Sequence, residues 1–364
     1  WWGLSIGGRL FKSTTTVPTS AWAQDALANT PTDCSDMIIH ESANGQDRLV
    51  VSRDTDIAIL NRTGAANAWT LSWWQTTLAQ AALTTTVPHP TDVFERTLII
   101  GDKNLVHIVD RNDIVTVSRL ILPTQYQIEH IFHTPSRIWF CCSNQQSGNG
   151  VIVEWDNKSP FWLNIHDGYS TYVMTGVDYA GLPVVLNDRG IFLEFIGSGF
   201  RPMQRGGQTM AFPIYTEDGT LFNTIAVNTF ASVVPRGMTS YQGLIYLNVG
   251  NHSSPLSGAG STMFTSYKQN GGIWCLDPIR GLLYNRFSLG QTGSAGDYGQ
   301  ELLFRSGAIL GLSSTVAGSP GMFLAGGRFY DVYTGTIRGG IFTYLFQTDI
   351  DSASFNRGYF VTNL

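Results

Sequence analysis

Gly271-Gly272-Ile273-Trp274-Cys275-Leu276-Asp277-Pro278-Ile279-Arg280-Gly281-Leu282-Leu283-Tyr284-Asn285-Arg286-Phe287-Ser288-Leu289 is the stretch whose reading decides the fold. Ile273 to Leu276 is a continuous apolar run that suits a buried strand. Asp277-Pro278 with Gly281 three residues on is turn chemistry, in which proline presets φ and glycine accepts a left-handed backbone. Leu282-Leu283-Tyr284 opens a second strand, which Arg286, Phe287 and Leu289 continue. Strand, turn and strand follow one another, and the turn sets their register.

Looser copies of this pattern recur through the chain. Arg48 to Ser52 is a short apolar run, Arg53 to Asp56 a polar tip, and Ile57 to Leu60 a second run closed by Asn61. Thr97 to Gly101 and Leu105 to Val109 flank the tip Asp102-Lys103-Asn104, with Asp110 closing the unit. Arg137 to Cys142 and Val151 to Trp155 flank Ser143 to Gly150, and Leu182 to Leu186 and Ile191 to Phe195 flank Asn187 to Gly190. Gly243 to Leu247 pairs with the opening stretch across a Ser/Gly-rich insert at 250–270. A degenerate sixth unit runs from Ala308 to Leu312 and from Met322 to Ala325.

Spacings of about 40 to 65 residues between units match propeller blades, whose sheets bury their faces only by stacking on neighbours. The expected fold is all-β, a β-propeller of six to seven divergent blades with long loop inserts. Residues 1–40 form an N-terminal segment that would complete or close a blade, and 41–364 form the propeller domain. Within 1–40, Trp1 to Ile6 reads as a strand, Lys12 to Ser20 as a loop, and Ala21 to Asn29 as one or two helical turns. The best helix candidate is Ala68 to Ala82, with Trp69, Trp73, Leu78 and Ala82 on one face, although a strand pair fits there as well.

Composition agrees with this class. Of 364 residues, 43% are hydrophobic and 12% aromatic, with 39 glycines, and only 13% are charged. An ordinary soluble domain carries roughly 25% charged residues. Lys+Arg 22 against Asp+Glu 27 leaves a net charge of −5. With no Lys/Arg-rich run, sequence-specific nucleic-acid binding is not expected. No apolar run reaches the length of a membrane-spanning helix. The chain starts at Trp1 without a basic-then-apolar leader, and so reads as a processed product, an excised fragment or part of a longer polypeptide.

No phosphate loop, dinucleotide fingerprint or nucleophile elbow occurs. His130 and His133 form the one close histidine pair, and on a strand they would point to opposite faces, against joint metal ligation. Asp178, Asp188, Glu217, Asp218, Asp297 and Glu301 are the carboxylates from which a glycosidase would draw an acid–base pair, against the ordinary reading as solvated turn residues. Asp110, Asn112 and Asp113, or Asp349 and Asp351, offer oxygen ligands for calcium without an EF-hand's spacing. Trp69, Trp73, Trp74, Trp139, Trp155, Trp162 and Trp274 either form a sugar-stacking platform or fill the space between blades, the ordinary use of aromatics in strands. Cys34, Cys141, Cys142 and Cys275 form no C-x-x-C pair and read as small buried hydrophobes. Sequons at Asn61, Asn157 and Asn251 decide nothing. No catalytic, cofactor-binding or metal-ligating residues are therefore expected.

Two groups of residues carry a resemblance. Ser136-Arg-Ile-Trp139, Gly150-Val-Ile-Val-Glu-Trp-Asp156, Gly190-Ile-Phe-Leu-Glu-Phe-Ile-Gly-Ser-Gly-Phe-Arg201 and Phe212-Pro-Ile214 form one, and the opening stretch is the other. Together, over residues 45 to 345, they resemble blade repeats in large tail-associated structural proteins of tailed bacteriophages. The resemblance implies a structural virion protein of the nozzle, hub or adaptor kind, without catalytic residues. Its partners would be copies of itself in a symmetric ring and other tail proteins, and its place the virion tail. The alternatives are a secreted propeller glycoside hydrolase or lyase, or a carbohydrate-binding propeller, either of them extracellular.

Overall fold

The computed structural model describes residues 2–4, 10–13, 22–24, 34–53, 57–62, 69–73, 83–84, 87–211, 233–249, 272–288, 303–312, 322–331 and 336–345. Every regular element among them is a strand. Five four-stranded sheets follow one another, each with its strands in chain order. The first holds β4 (Cys34–Glu41), β5 (Asp47–Arg53), β6 (Ile57–Arg62) and β7 (Trp69–Trp73). The second holds β8 (Thr91–Phe94), β9 (Thr97–Asp102), β10 (Leu105–Val109) and β11 (Val115–Ile121). The third holds β12 (Tyr126–Thr134), β13 (Arg137–Asn144), β14 (Val151–Trp155) and β15 (Asn164–Asp167). The fourth holds β16 (Val173–Tyr179), β17 (Leu182–Asn187), β18 (Phe192–Phe195) and β19 (Phe200–Pro202). The fifth holds β22 (Met238–Tyr241), β23 (Leu244–Val249), β24 (Gly272–Asp277) and β25 (Leu282–Ser288).

Between the fourth and fifth sheets lies the hairpin β20 (Gln204–Arg205) with β21 (Gln208–Thr209). β1 (Trp2–Leu4), β2 (Leu10–Ser13) and β3 (Trp22–Gln24) form a three-stranded sheet, as do β26 (Leu303–Leu312), β27 (Met322–Asp331) and β28 (Thr336–Leu345). The chain divides into two compact units. One comprises Trp1–Thr16, Trp22–Asn187 and Leu193–Arg201, the other Val17–Ala21, Asp188–Phe192 and Pro202–Leu364.

The sheets are propeller blades, and five complete ones lie in the described residues, against the six to seven expected over the whole chain. The sixth repeat unit is the β26–β27 pair, extended by β28. Three local expectations are corrected. Trp69 to Trp73 is a strand rather than the start of a helix, and Trp22 to Gln24 is a strand rather than a helical turn. Leu10 to Ser13 is likewise a strand where a loop beginning at Lys12 was expected. The 40/41 boundary falls inside β4, which pairs with β5 from Cys34 to Glu41. The insert at 250–270 lies outside the described residues, as do 290–299 and 74–82.

Packing explains the repeat. In the second blade, Leu98 and Ile100 of β9 join a cluster with Val50 and Ile57 of the first blade. Ile99 between them turns the other way, into a cluster with Ile128, Phe140 and Trp155 of the third. A strand covered on both faces needs apolar residues at every position, so alternation gives way to a continuous run. The opening turn also has the chemistry expected of it. Gly281 sits at φ +69°, its N–H donates to the Asp277 carbonyl at 2.9 Å, and Asp277 Oδ1 accepts from the amides of Ile279 at 3.0 Å and Arg280 at 2.9 Å.

Where blades pack closest, the backbone itself is the surface. A Cβ added to Gly176 on β16 would lie 2.2 Å from Phe132 Cε1 on β12. Gly176→Ala should therefore destabilise the protein by about 1–3 kcal/mol through overpacking. In denaturant unfolding, Phe132→Leu placed in the same chain should recover part of that loss. Additive losses from the two substitutions would show that the ring is not what Gly176 accommodates.

Candidate functional site

The first strands of successive blades in the first unit are joined by polar side chains. Asp36 Oδ2 on β4 accepts from Thr91 N at 2.8 Å and Thr91 Oγ1 at 2.9 Å on β8. On β8 in turn, Asp92 Oδ2 accepts from His133 Nδ1 on β12 at 2.7 Å. His130 Nε2, also on β12, donates to the Gly176 carbonyl on β16 at 3.3 Å. His130 and His133 thus serve opposite neighbours, as alternation along a strand requires. They share no ligand position.

A second set of contacts lies between the first and second blades. Arg48 pairs with Asp113, and its Nη2 also donates to His40 Nδ1 at 2.9 Å. With Nδ1 accepting, His40 carries its proton on Nε2 and donates to the Arg96 carbonyl at 3.0 Å. Burial pushes the His40 imidazole below its ordinary value, the Arg96 carbonyl opposes, and the Arg48 charge lowers it further. Asp113 Oδ2 also accepts from Ala43 N at 3.1 Å, and Asp110 Oδ1 caps Asn112 N and Ile114 N at 2.8 and 2.9 Å. The calcium candidates Asp110 and Asp113 are thus occupied with turn and inter-blade bonds. Among the described residues, no three His, Cys, Asp or Glu side chains are grouped to hold a metal ion. Asp349 and Asp351 lie outside them.

The most enclosed polar group in the second blade was not singled out by any motif. Asp102, at the end of β9, lies between His89 Nε2 at 3.4 Å and His107 Nε2 at 3.3 Å, and all three side chains are buried. Thr84 N donates to both of its oxygens, at 3.1 and 3.2 Å. Burial alone would raise the carboxyl, but the bonds from His107 and Thr84, with the His89 ring close beside it, outweigh it and hold Asp102 well below the usual carboxylate range. A β-bulge on the β10–β11 pair, with Ser118 at φ +49°, aims Ser118 N at His107 Nδ1 at 2.9 Å. His107 Nδ1 is therefore the acceptor and Nε2 the donor to Asp102. Metal ligation through Nε2 would need the proton on Nδ1, where Ser118 N–H already points. The group is a buried hydrogen-bonded anchor.

The remaining sequence candidates are placed as follows. Trp139, Trp155 and Trp274 are buried, Trp162 packs partly buried on the cluster between the second and third blades, and none of the first three offers a face to a sugar. The indole of Trp139 donates to Thr134 Oγ1 at 3.1 Å and that of Trp155 to the Ser159 carbonyl at 2.9 Å. Trp139, Phe195 and Phe200 box in His166, with ring centroids 5.5 to 6.1 Å from it. Asp178 Oδ1 accepts from Gly181 N at 2.9 Å, and burial raises its carboxyl. Asp188 follows β17, while Glu217, Asp218, Asp297 and Glu301 lie outside the described residues. Cys141, Cys142 and Cys275 are free and buried, and burial raises their thiols. Trp74 and Asn251 also lie outside the described residues.

The sequence reading missed Asp36, Asp92, Asp102 and Glu129. The available signal was an acid inside or ending an apolar strand, which burial makes costly unless a partner is found. Asp102→Asn should cost about 1.5–3 kcal/mol, as losing hydrogen bonds to a buried charged group does. The wild-type carboxyl is held low by folding, so its contribution is full at neutral pH. It is lost as pH falls below the ordinary aspartate value of 3.8 toward the folded value. Acid unfolding curves should show this limb in the wild type and a flatter one in the variant.

No protein-family profile matches the chain, and no curated protein matches it. Among solved structures, the Cps50 (Swd1) β-propeller domain of Myceliophteria thermophila aligns with a TM-score of 0.50 at 10% identity, over 95% of this chain and 93% of that one. The computationally designed Ika8 protein gives a TM-score of 0.44 at 13% identity, over 86% and 93% of the two chains. A chain from the complex of BBS1N with ARL6DN gives 0.46 at 12%, over 88% and 83%. Identities this low speak to architecture, and the alignment to the Cps50 domain agrees with the five blades: the chain has an all-β propeller fold.

Proposed function

We propose that the chain is a structural virion component, a nozzle- or hub-like protein of a tailed-bacteriophage tail. It acts through contacts with copies of itself in a ring and with other tail proteins. The observation that carries this reading is that one group of the exposed apolar side chains gathers at the outer strands of blades, while others such as Ile39, Leu182 and Ile279 lie on first or second strands and turns. Ile121 ends β11, Phe161, Leu163 and Ile165 lead into and lie on β15, and Leu282 and Tyr284 lie on β25. These are the fourth strands of their blades, at the end of the strand order, where one row of backbone groups has no partner strand within the sheet. Phe161 is 70% exposed. Apolar side chains along sheet edges suit surfaces that neighbours cover. The low charge content agrees, because burying unpaired charge at an interface is costly.

Light scattering and electron microscopy on the purified chain test the proposal, and a ring-shaped oligomer is the expected result. Replacing Phe161, Leu163 and Ile165 together with Asp should weaken assembly by roughly tenfold or more, a loss of at least about 1.4 kcal/mol. The melting temperature of the isolated chain should stay within a few degrees. A chain that stays monomeric and cleaves a polysaccharide would overturn the proposal.

A further inference from the structure

Glu129 differs from every other buried acid in the described residues. Asp92 has His133, Asp102 has His89 and His107, Glu154 has Arg137 and His166, and Asp277 has Arg280 within 4 Å. Glu129 is 8% exposed, and its partners are Ser143 Oγ at 2.6 Å, Gln127 Nε2 at 3.1 Å and Tyr172 OH at 3.5 Å. None of them is a cation.

Its position follows from a β-bulge. Ile128 pairs with Cys142 and His130 with Cys141, which leaves Glu129 as the extra residue of β12. A bulge turns its side chain away from the alternation of the strand. The carboxyl reaches the place where the third blade meets the segment leading into β16. There Ser143 bridges to Tyr172, and Asn144 N donates to the Thr171 carbonyl at 2.9 Å. The other titratable groups facing it are Tyr172 from that segment and Cys142 from β13. His130, next along β12, is directed to the Gly176 carbonyl instead.

We infer that Glu129 is a pH-operated latch on the seam between the third and fourth blades, closed while its carboxyl is protonated and loosened when it ionises. A neutral carboxyl accepts from Ser143 and Gln127 on Oε1 and turns its own O–H on Oε2 toward the Tyr172 hydroxyl, with no charge to bury. An ionised one is buried without a countercharge, the arrangement that folding tolerates least. Burial accordingly raises this carboxyl, against the opposing bonds from Ser143, Tyr172 and Gln127. The sign is fixed by that direction. Stability at the seam is full below the ordinary glutamate value of 4.5 and declines as pH rises through the folded value.

Hydrogen–deuterium exchange on the full chain, corrected for intrinsic rates, tests the latch in peptides covering 126–134, 140–144 and 170–176. In the wild type, opening at these peptides should rise with pH above 4.5, by up to roughly tenfold per pH unit until the folded value is passed. Glu129→Gln keeps an acceptor for Ser143 and cannot ionise. It should be as protected at pH 8 as the wild type is at pH 5. Unchanged wild-type protection across that range, or a pH dependence that survives in the variant, would overturn the inference. Should the variant fail to fold, the carbon-13 titration of the Glu129 carboxyl in the wild type decides. A midpoint above the ordinary glutamate range supports the latch, and one at or below it removes it.

Discussion

The constraint on which this structure depends is that a blade's middle strands are apolar on both faces. Leu98 and Ile100 cannot be covered by the same neighbour that covers Ile99, so the second blade must lie between two others. Once sheets are stacked this way, polar groups of their first strands come to face the next blade, some buried, as Asp92 and His130 are, and others, such as His133, still open to water. Each then has to find its partner on the next blade. Asp36 with Thr91, Asp92 with His133, and His130 with the Gly176 carbonyl are the result. Apolar area holds the blades together, and these bonds fix how one blade is set against the next.

The same burial has opposite effects on different acids, and the partners decide which. Asp102 and Glu129 are both enclosed, yet the first is held low and the second pushed up. Asp102 receives two imidazoles and a backbone amide, which favour its charge. Glu129 receives hydroxyls and an amide side chain, which offset only part of the cost of desolvation.

How much of this was legible in the sequence follows from the packing. In all five complete blades the repeat found before folding was the second and third strands, because those are buried throughout, as in β9, β14 and β24. Most first and fourth strands escaped notice for the converse reason, β25 at the end of the opening stretch being the exception. β11 and β15 mix exposed and buried positions, and β8 and β12 carry the charged residues that join blades. Trp69 and Trp73 suggested a helix because residues four apart share a face in a helix and in a strand alike. The anchors were illegible in another sense. Asp36 and Thr91 lie 55 residues apart and Asp92 and His133 lie 41, so only the stacked sheets reveal the pairing. The turn at Asp277 to Gly281 was the reverse case, since its chemistry is local and could be read in full.

In every four-stranded sheet the spatial order of the strands is their order along the chain. Among the described residues, no four-stranded blade has to wait for a distant segment to supply a missing strand, so hairpin closure within those blades costs little loop entropy. During synthesis, β4 to β7 can pair as soon as they emerge, and each later blade finds a finished surface to condense upon. A topology with neighbours in sequence as neighbours in space thus turns the five described blades into a series of short folding problems.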